Sequence, residues 1–340
     1  MKFKTENLFF IFLLIACFIF TPDDSLDLFR YFEDAKKGDV SLNIWEYARL
    51  SHESQFDFIY QTILYASHKC GIPLRLINVF FVFLYLFSAR KILRLCTLNS
   101  HIFKKDYRYS TILLLCSIPF IYVYSISRMV AAFSFLFLAI YNLLKRKYIY
   151  AIIFSIVAIF THVGSVIYLF VFLIVIILSP FLKISNKKLI LLGVPFTFLM
   201  GAVILGHIIN FVSSFGFFGV YAYYLKYLEN FEGISFVGQS TITMIASFWS
   251  VLIFGIYTFI MKQMSYSKIL ILVFLCLIFS ITLNNMFFQR TLLFSLPFIS
   301  ISSLEIPLKF TNFKKMILVA TLSISLLTYI AYYKNFINLF

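Results

Sequence analysis

Charged side chains are scarce in this chain, and acids scarcest of all: 13% of the 340 residues are Asp, Glu, Lys or Arg, and only 14 of them are acidic. A soluble domain is roughly a quarter charged and under half apolar, whereas here 62% of residues are apolar and 20% aromatic. That excludes a water-soluble globular protein and leaves an integral membrane protein. Metal-ligand spacing is missing too. The five cysteines, Cys17, Cys70, Cys96, Cys116 and Cys276, form no CxxC pattern and lie mostly inside apolar runs, so they read as small core or lipid-facing residues. His52, His68 and His101 show no ligand spacing, His207 reads as a satisfied helix-end histidine, and no metal site is expected. With no internal repeat, low-complexity tract or soluble segment, residues 1–340 are expected to form a single membrane-embedded domain.

What is present is a series of long apolar runs. About eleven are long enough for a membrane helix, with cores near 6–21, 72–90, 109–126, 128–145, 147–161, 163–182, 188–208, 239–261, 268–284, 289–304 and 315–333. The expected fold is all-α, a polytopic transmembrane helix bundle. Lys2 and Lys4 before the run from Leu8 to Phe20 have the layout of a signal peptide or signal anchor. No A-x-A site follows. Leu14-Ile15-Ala16-Cys17 resembles a lipoprotein box, but Phe18, Ile19 and Phe20 continue the apolar run, which favours an uncleaved anchor.

The net charge of +15 fits nucleic acid or a basic polytopic protein, and its distribution decides for the membrane. Alternating the loops from a cytoplasmic N-terminus puts nineteen of the 29 basic residues inside, with only Glu6, Asp106 and Glu305 as acids beside them. The outer side holds the other ten basic residues and eleven of the 14 acids. Excess Lys and Arg in short loops marks the cytoplasm. The expected topology has the N-terminus inside and the C-terminus outside. Two outer segments are long, about 22–71 and 207–238. In the first, Phe56, Ile59, Tyr60, Ile63, Leu64 and Ser67 have helical spacing with a polar opposite face, expected on the membrane surface or over the bundle. The second is rich in tyrosine. Its stretch from Val220 to Phe231, including Tyr224, suits stacking on sugar faces and equally an interfacial aromatic belt.

Three lone basic residues sit at breaks between spans: Arg128, His162 and Arg290. Each is expected at the outer end of an inward-running helix. Unpaired N–H groups and the helix dipole already favour an anion there, and phosphate is the natural ligand. Any one of them reads equally well as an interface anchor. Among the acids, Asp23 or Asp24 reads as a helix cap, whereas Asp27 cannot cap the same helix and remains a candidate base. Glu53 and Asp57 share a helix face, read as solvated.

The ordered set Asp27-Leu-Phe-Arg30-Tyr31, Glu53-Ser-Gln-Phe56, Ser127-Arg128-Met129-Val-Ala131 followed by Lys145-Arg-Lys147, and Phe160-Thr-His162-Val-Gly-Ser165, with Gln289-Arg290 late in the chain, resembles the EpsG-like group of Wzy-type O-antigen and exopolysaccharide polymerases. One position departs: the family usually has Arg-Gln where this chain has Arg128-Met129. The resemblance implies a GT-C-like glycosyltransferase working on the outer face without cofactor, nucleotide sugar or metal. It would transfer a growing glycan from undecaprenyl pyrophosphate to a lipid-linked repeat unit. Arg128 and Arg290 would bind the pyrophosphate, and His162 or Asp27 would act as base. Arg30, Tyr31, Glu53 and Tyr224 would contact glycan. Implied partners are undecaprenyl-pyrophosphate-linked oligosaccharides, the lipid bilayer and a chain-length regulator membrane protein, with no nucleic acid. A lipid-linked oligosaccharide flippase or transporter is the rival from another class, although its charges should line a central cavity between repeated halves. An O-antigen ligase-like glycosyltransferase would use the same leaving group.

Overall fold

The structure is a computed structural model that describes residues 5–19, 43–50, 57–99, 104–116, 127–182, 185–214, 241–261, 267–283, 285–304, 306 and 311–337. Among these residues every regular element is a helix. In order they are α1 (Thr5–Ile19), α2 (Ile44–Leu50), α3 (Phe58–Lys69), α4 (Leu74–Asn99), α5 (Lys104–Cys116), α6 (Ser127–Leu144), α7 (Tyr148–Thr161), α8 (Ser165–Leu178), α9 (Asn186–Ser214), α10 (Thr241–Ile260), α11 (Ser267–Leu283), α12 (Asn285–Leu304) and α13 (Thr311–Ile337).

Each of the eleven segments read from hydropathy overlaps a described helix, although 117–126 of the third lie outside the described residues, and α2 and α3 are additional, within the first long segment. Helix is the form that lets an apolar segment satisfy its own backbone in lipid. Among the described residues, Leu74–Thr97, Ser127–Leu144 and Phe287–Leu304 are long and apolar enough to cross a membrane, and several shorter apolar helices accompany them. Many hydroxyls inside these helices are satisfied locally. Ser134 Oγ donates to Val130 O at 2.7 Å, Thr161 Oγ1 to Val157 O at 2.7 Å and Ser295 Oγ to Thr291 O at 2.7 Å. His207 lies within α9, two turns before its end, so it does not close the helix.

The contacts divide the chain into two compact units, Met1–Val171 and Phe172–Phe340. In the first, α6 packs against α4 and α7, and α1 against α4 and α5. Helices α2 and α3 lie over this bundle: Tyr47, Tyr60 and Leu64 form a buried cluster with Phe81 of α4 and Ala131 of α6. Gly71 closes α3. Its backbone has φ of +66°, the left-handed conformation that favours glycine, and its N–H and that of Ile72 donate to His68 O and Ser67 O. The buried face of α3 is Tyr60, Gln61, Leu64 and Ser67. It is therefore rotated from the expected one, with Ile59 and Ile63 at its margin and Gln61 inside it.

The joint between α6 and α7 sets the level of two of the lone basic residues. Lys145, Arg146 and Lys147 reverse the chain, their N–H groups donating to carbonyls of the last turn of α6, with Arg146 at φ 60°. At 1.5 Å per residue the two helices are about 27 and about 21 Å long. An antiparallel hairpin of such helices brings the start of α6 and the end of α7 to the same level.

In the second unit α11 packs against α9, α10 and α12, and α10 also meets α12 and α13. Phe254 and Phe274 meet edge to face with centroids 5.5 Å apart, and Trp249 Nε1 donates to Thr321 Oγ1 at 3.0 Å.

Candidate functional site

Three elements of the first unit converge on one carboxylate. Asp57 immediately precedes α3, Arg128 is the second residue of α6, and His162 follows the last residue of α7. The guanidinium Nη1 of Arg128 donates to Asp57 Oδ2 at 2.5 Å, and the backbone N–H of Val163 donates to Asp57 Oδ1 at 3.0 Å. The His162 Nδ1 lies 3.3 and 3.4 Å from the two carboxylate oxygens. Asp57 is 1% exposed, Arg128 5% and His162 2%.

Local structure explains how each group arrives. An aspartate just before a helix ordinarily caps it with its own side chain. Asp57 makes no such bond, and its carboxylate is turned to Arg128 instead. Arg128 lies in the first turn of an otherwise apolar helix, and such a cation requires a buried counter-charge. The His162 backbone N–H closes α7 on Ala158 O, and its carbonyl accepts from Ser165 N–H at the start of α8. That tight link turns the ring toward Asp57. It also folds the imidazole over Gly164: a Cβ at Gly164 would lie 2.9 Å from His162 Nε2. Only a residue without a side chain fits beneath that nitrogen.

The electrostatics follow from the donor inventory. An ionised carboxylate only accepts hydrogen bonds, so the imidazole nitrogen facing it carries the proton and Nε2 becomes the basic atom. The guanidinium and the backbone N–H supply the further contacts that a buried carboxylate needs. Asp57 also stands ready to stabilise an imidazolium once Nε2 takes up a proton.

These positions revise several expectations. Asp57 is not on a solvated face; it is the centre of the cluster. Its signal was its register with the buried face of α3, since 57, 60, 61, 64 and 67 follow helical spacing. A lone arginine in an apolar span also called for an acid partner. Arg128 does open its helix, whereas His162 ends one. Its ring faces the adjacent carboxylate. Arg290 sits in the second turn of α12, not at its start, half-buried, with its Nε atom buried and without a hydrogen-bond partner among the described residues. Asp27, Arg30, Tyr31, Glu53 and Tyr224 lie outside the described residues.

No curated protein and no solved structure significantly matches the chain. The model of one protein family, described as the EpsG family, matches residues 4–339, nearly the whole sequence and both halves of the set of short motifs from Asp27 to Arg290; the chain belongs to the EpsG family.

Proposed function

We propose that this membrane protein is a polysaccharide polymerase that lengthens glycans on the outer face of a bacterial inner membrane. In this reading it is one membrane-embedded domain of about eleven spans, GT-C-like, with its N-terminus inside and its C-terminus outside. The donor is a growing glycan on undecaprenyl pyrophosphate, and the acceptor is a new lipid-linked repeat unit. The observation that carries the reading is the buried cluster of Asp57, Arg128 and His162 in a chain of the EpsG family.

The reaction needs three things: alignment, a place for the departing charge and a destination for one proton. An acceptor hydroxyl attacks the anomeric carbon of the donor sugar. The bond from that carbon to the pyrophosphate oxygen breaks, and the lipid pyrophosphate leaves with the electron pair. His162 Nε2 takes the hydroxyl proton while Asp57 holds the opposite nitrogen and stabilises the imidazolium. In this reading Arg128, oriented by Asp57, contributes its positive charge to the departing pyrophosphate. Arg290 is assigned a pyrophosphate contact from its place in the sequence, and its unbonded buried Nε supports a ligand for that group. Asp27 is retained as an alternative base, and Arg30, Tyr31, Glu53 and Tyr224 as glycan contacts. Orientation of two membrane-held substrates is worth roughly 7–11 kcal/mol. A well-placed charge donor is worth about 3–4 kcal/mol, and a base ~10²- to 10⁴-fold in rate. Orientation and the arginines therefore dominate, with His162 assisting.

The test is deletion of the gene followed by analysis of surface glycan. Loss of a polymerase leaves a single repeat unit attached. Glycan lost altogether would indicate a flippase, and long polymer stranded on lipid would indicate a ligase.

A further inference from the structure

Two buried polar side chains next to the cluster have unmet hydrogen-bonding capacity. Gln61 is 2% exposed, and neither its Nε2 nor its Oε1 has a hydrogen-bond partner among the described residues. Ser165 is 1% exposed, and its Oγ is likewise without one. Leaving such a group unbonded costs about 1–3 kcal/mol, so buried polar atoms of this kind call for an explanation.

Their positions are not scattered. Gln61 lies one helical turn after Asp57 on the same face of α3, and its N–H donates to Asp57 O at 3.1 Å. Ser165 is the first residue of α8, its N–H bonded to His162 O at 2.9 Å. It directly follows Gly164, the residue over which His162 Nε2 lies. Both orphaned groups therefore belong to the two segments that hold the proposed base and its carboxylate.

The chemistry of the three atoms selects the ligand. A phosphate presents only acceptors, and it would leave the carbonyl oxygen of Gln61 without a donor. An isoprenoid chain would leave all three atoms unbonded. A hydroxyl donates and accepts, and two neighbouring hydroxyls match the paired donor and acceptor of a primary amide. We infer that Gln61 and Ser165 form the acceptor-sugar subsite, binding hydroxyls of the incoming repeat unit so that one of them meets His162 Nε2. This rests on the polymerase reading and adds the residues that recognise its acceptor.

The experiment uses the full-length protein in lipid vesicles. The substrate is lipid-linked repeat unit extracted from the deletion strain, and the rate of elongation is followed against its concentration. Gln61→Met and Ser165→Ala remove the polar atoms at nearly constant shape, and neither residue is an ion-pair partner. Ser165→Ala is expected to raise KM for the repeat unit roughly three- to tenfold, the worth of one neutral hydrogen bond, and Gln61→Met, which removes a donor and an acceptor, by more than that. The melting temperature of each variant should be unchanged or higher, since an unbonded polar atom has been removed. A role confined to packing would move stability and leave KM alone. Wild-type KM in both variants overturns the subsite, leaving the two groups solvated by water. Wild-type protein that elongates nothing overturns the polymerase reading, and the subsite with it. Should Gln61→Met lower the membrane level, Ser165→Ala decides the question, because it removes a single atom.

Discussion

Asp57 and Arg128 stand 71 positions apart in the chain and form an ion pair of 2.5 Å, with side-chain exposures of 1% and 6%. The pair ties the helix lying over the bundle to the first turn of a helix inside it. The same carboxylate reaches His162, so a contact that holds the fold together also orients the proposed base.

Removing one partner of such a pair leaves the other charge buried, at a cost of about 3–5 kcal/mol. Asp57→Ala and Arg128→Leu are each expected to lower the melting temperature of the protein in detergent. The double variant should be less destabilised than the sum of the singles. Additive losses would show that the two side chains do not depend on each other.

A clamp and an interface anchor respond differently to lysine. A guanidinium holds phosphate through two parallel hydrogen bonds, and lysine offers a point charge. Arg128→Lys and Arg290→Lys are each expected to accumulate single-unit, lipid-linked glycan at normal membrane levels. An anchor would tolerate lysine, which snorkels as readily. Full-length polymer from both variants would remove the leaving-group role, and normal polymer from one would assign that role to the other.

His162→Ala is expected to reduce polymer yield while short chains persist, because the base only assists the attacking hydroxyl and pyrophosphate is already a good leaving group. Gly164→Ala should give a similar loss with every cluster side chain intact, since its Cβ would press on His162 Nε2. Surface glycan resolved by length checks both. Normal polymer from His162→Ala would make His162 structural and move the base to Asp27.

The turn between α6 and α7 offers a test of the fold that is independent of chemistry. Arg146 occupies the left-handed region at φ 60°, which costs an L-residue with a side chain roughly 1–2 kcal/mol. Arg146→Gly is expected to raise the melting temperature modestly, with Arg146→Val lowering it.

Topology carries the placement of the whole site. Fusions to a reporter active only outside the cytoplasm are expected to be active near Asp39, near Glu229 and at the C-terminus, and inactive near Lys104 and Lys187. An active reporter near Lys104 would put Arg128 on the wrong side for a pyrophosphate at the outer surface.

The helices themselves were legible because an apolar run in lipid has few alternatives to bonding its own backbone. The level shared by Arg128 and His162 was legible as well, since two apolar runs joined by Lys145-Arg146-Lys147 leave room only for a hairpin. Asp57 was not. The spacing of the segment around it was read one position off, toward Ile59 and Ile63, and that small rotation turned a buried carboxylate into a solvated one. Hydropathy ranks residues by type and favours isoleucine over glutamine for the inner face, whereas packing buried Gln61 beside Asp57 and left Ile59 and Ile63 at the margin. Composition and alternation thus determined that this chain is a membrane helix bundle and which cations interrupt it. Which acid answers Arg128 was decided by the tertiary structure, because a buried charge is matched by whichever carboxylate the packing of distant segments brings within reach.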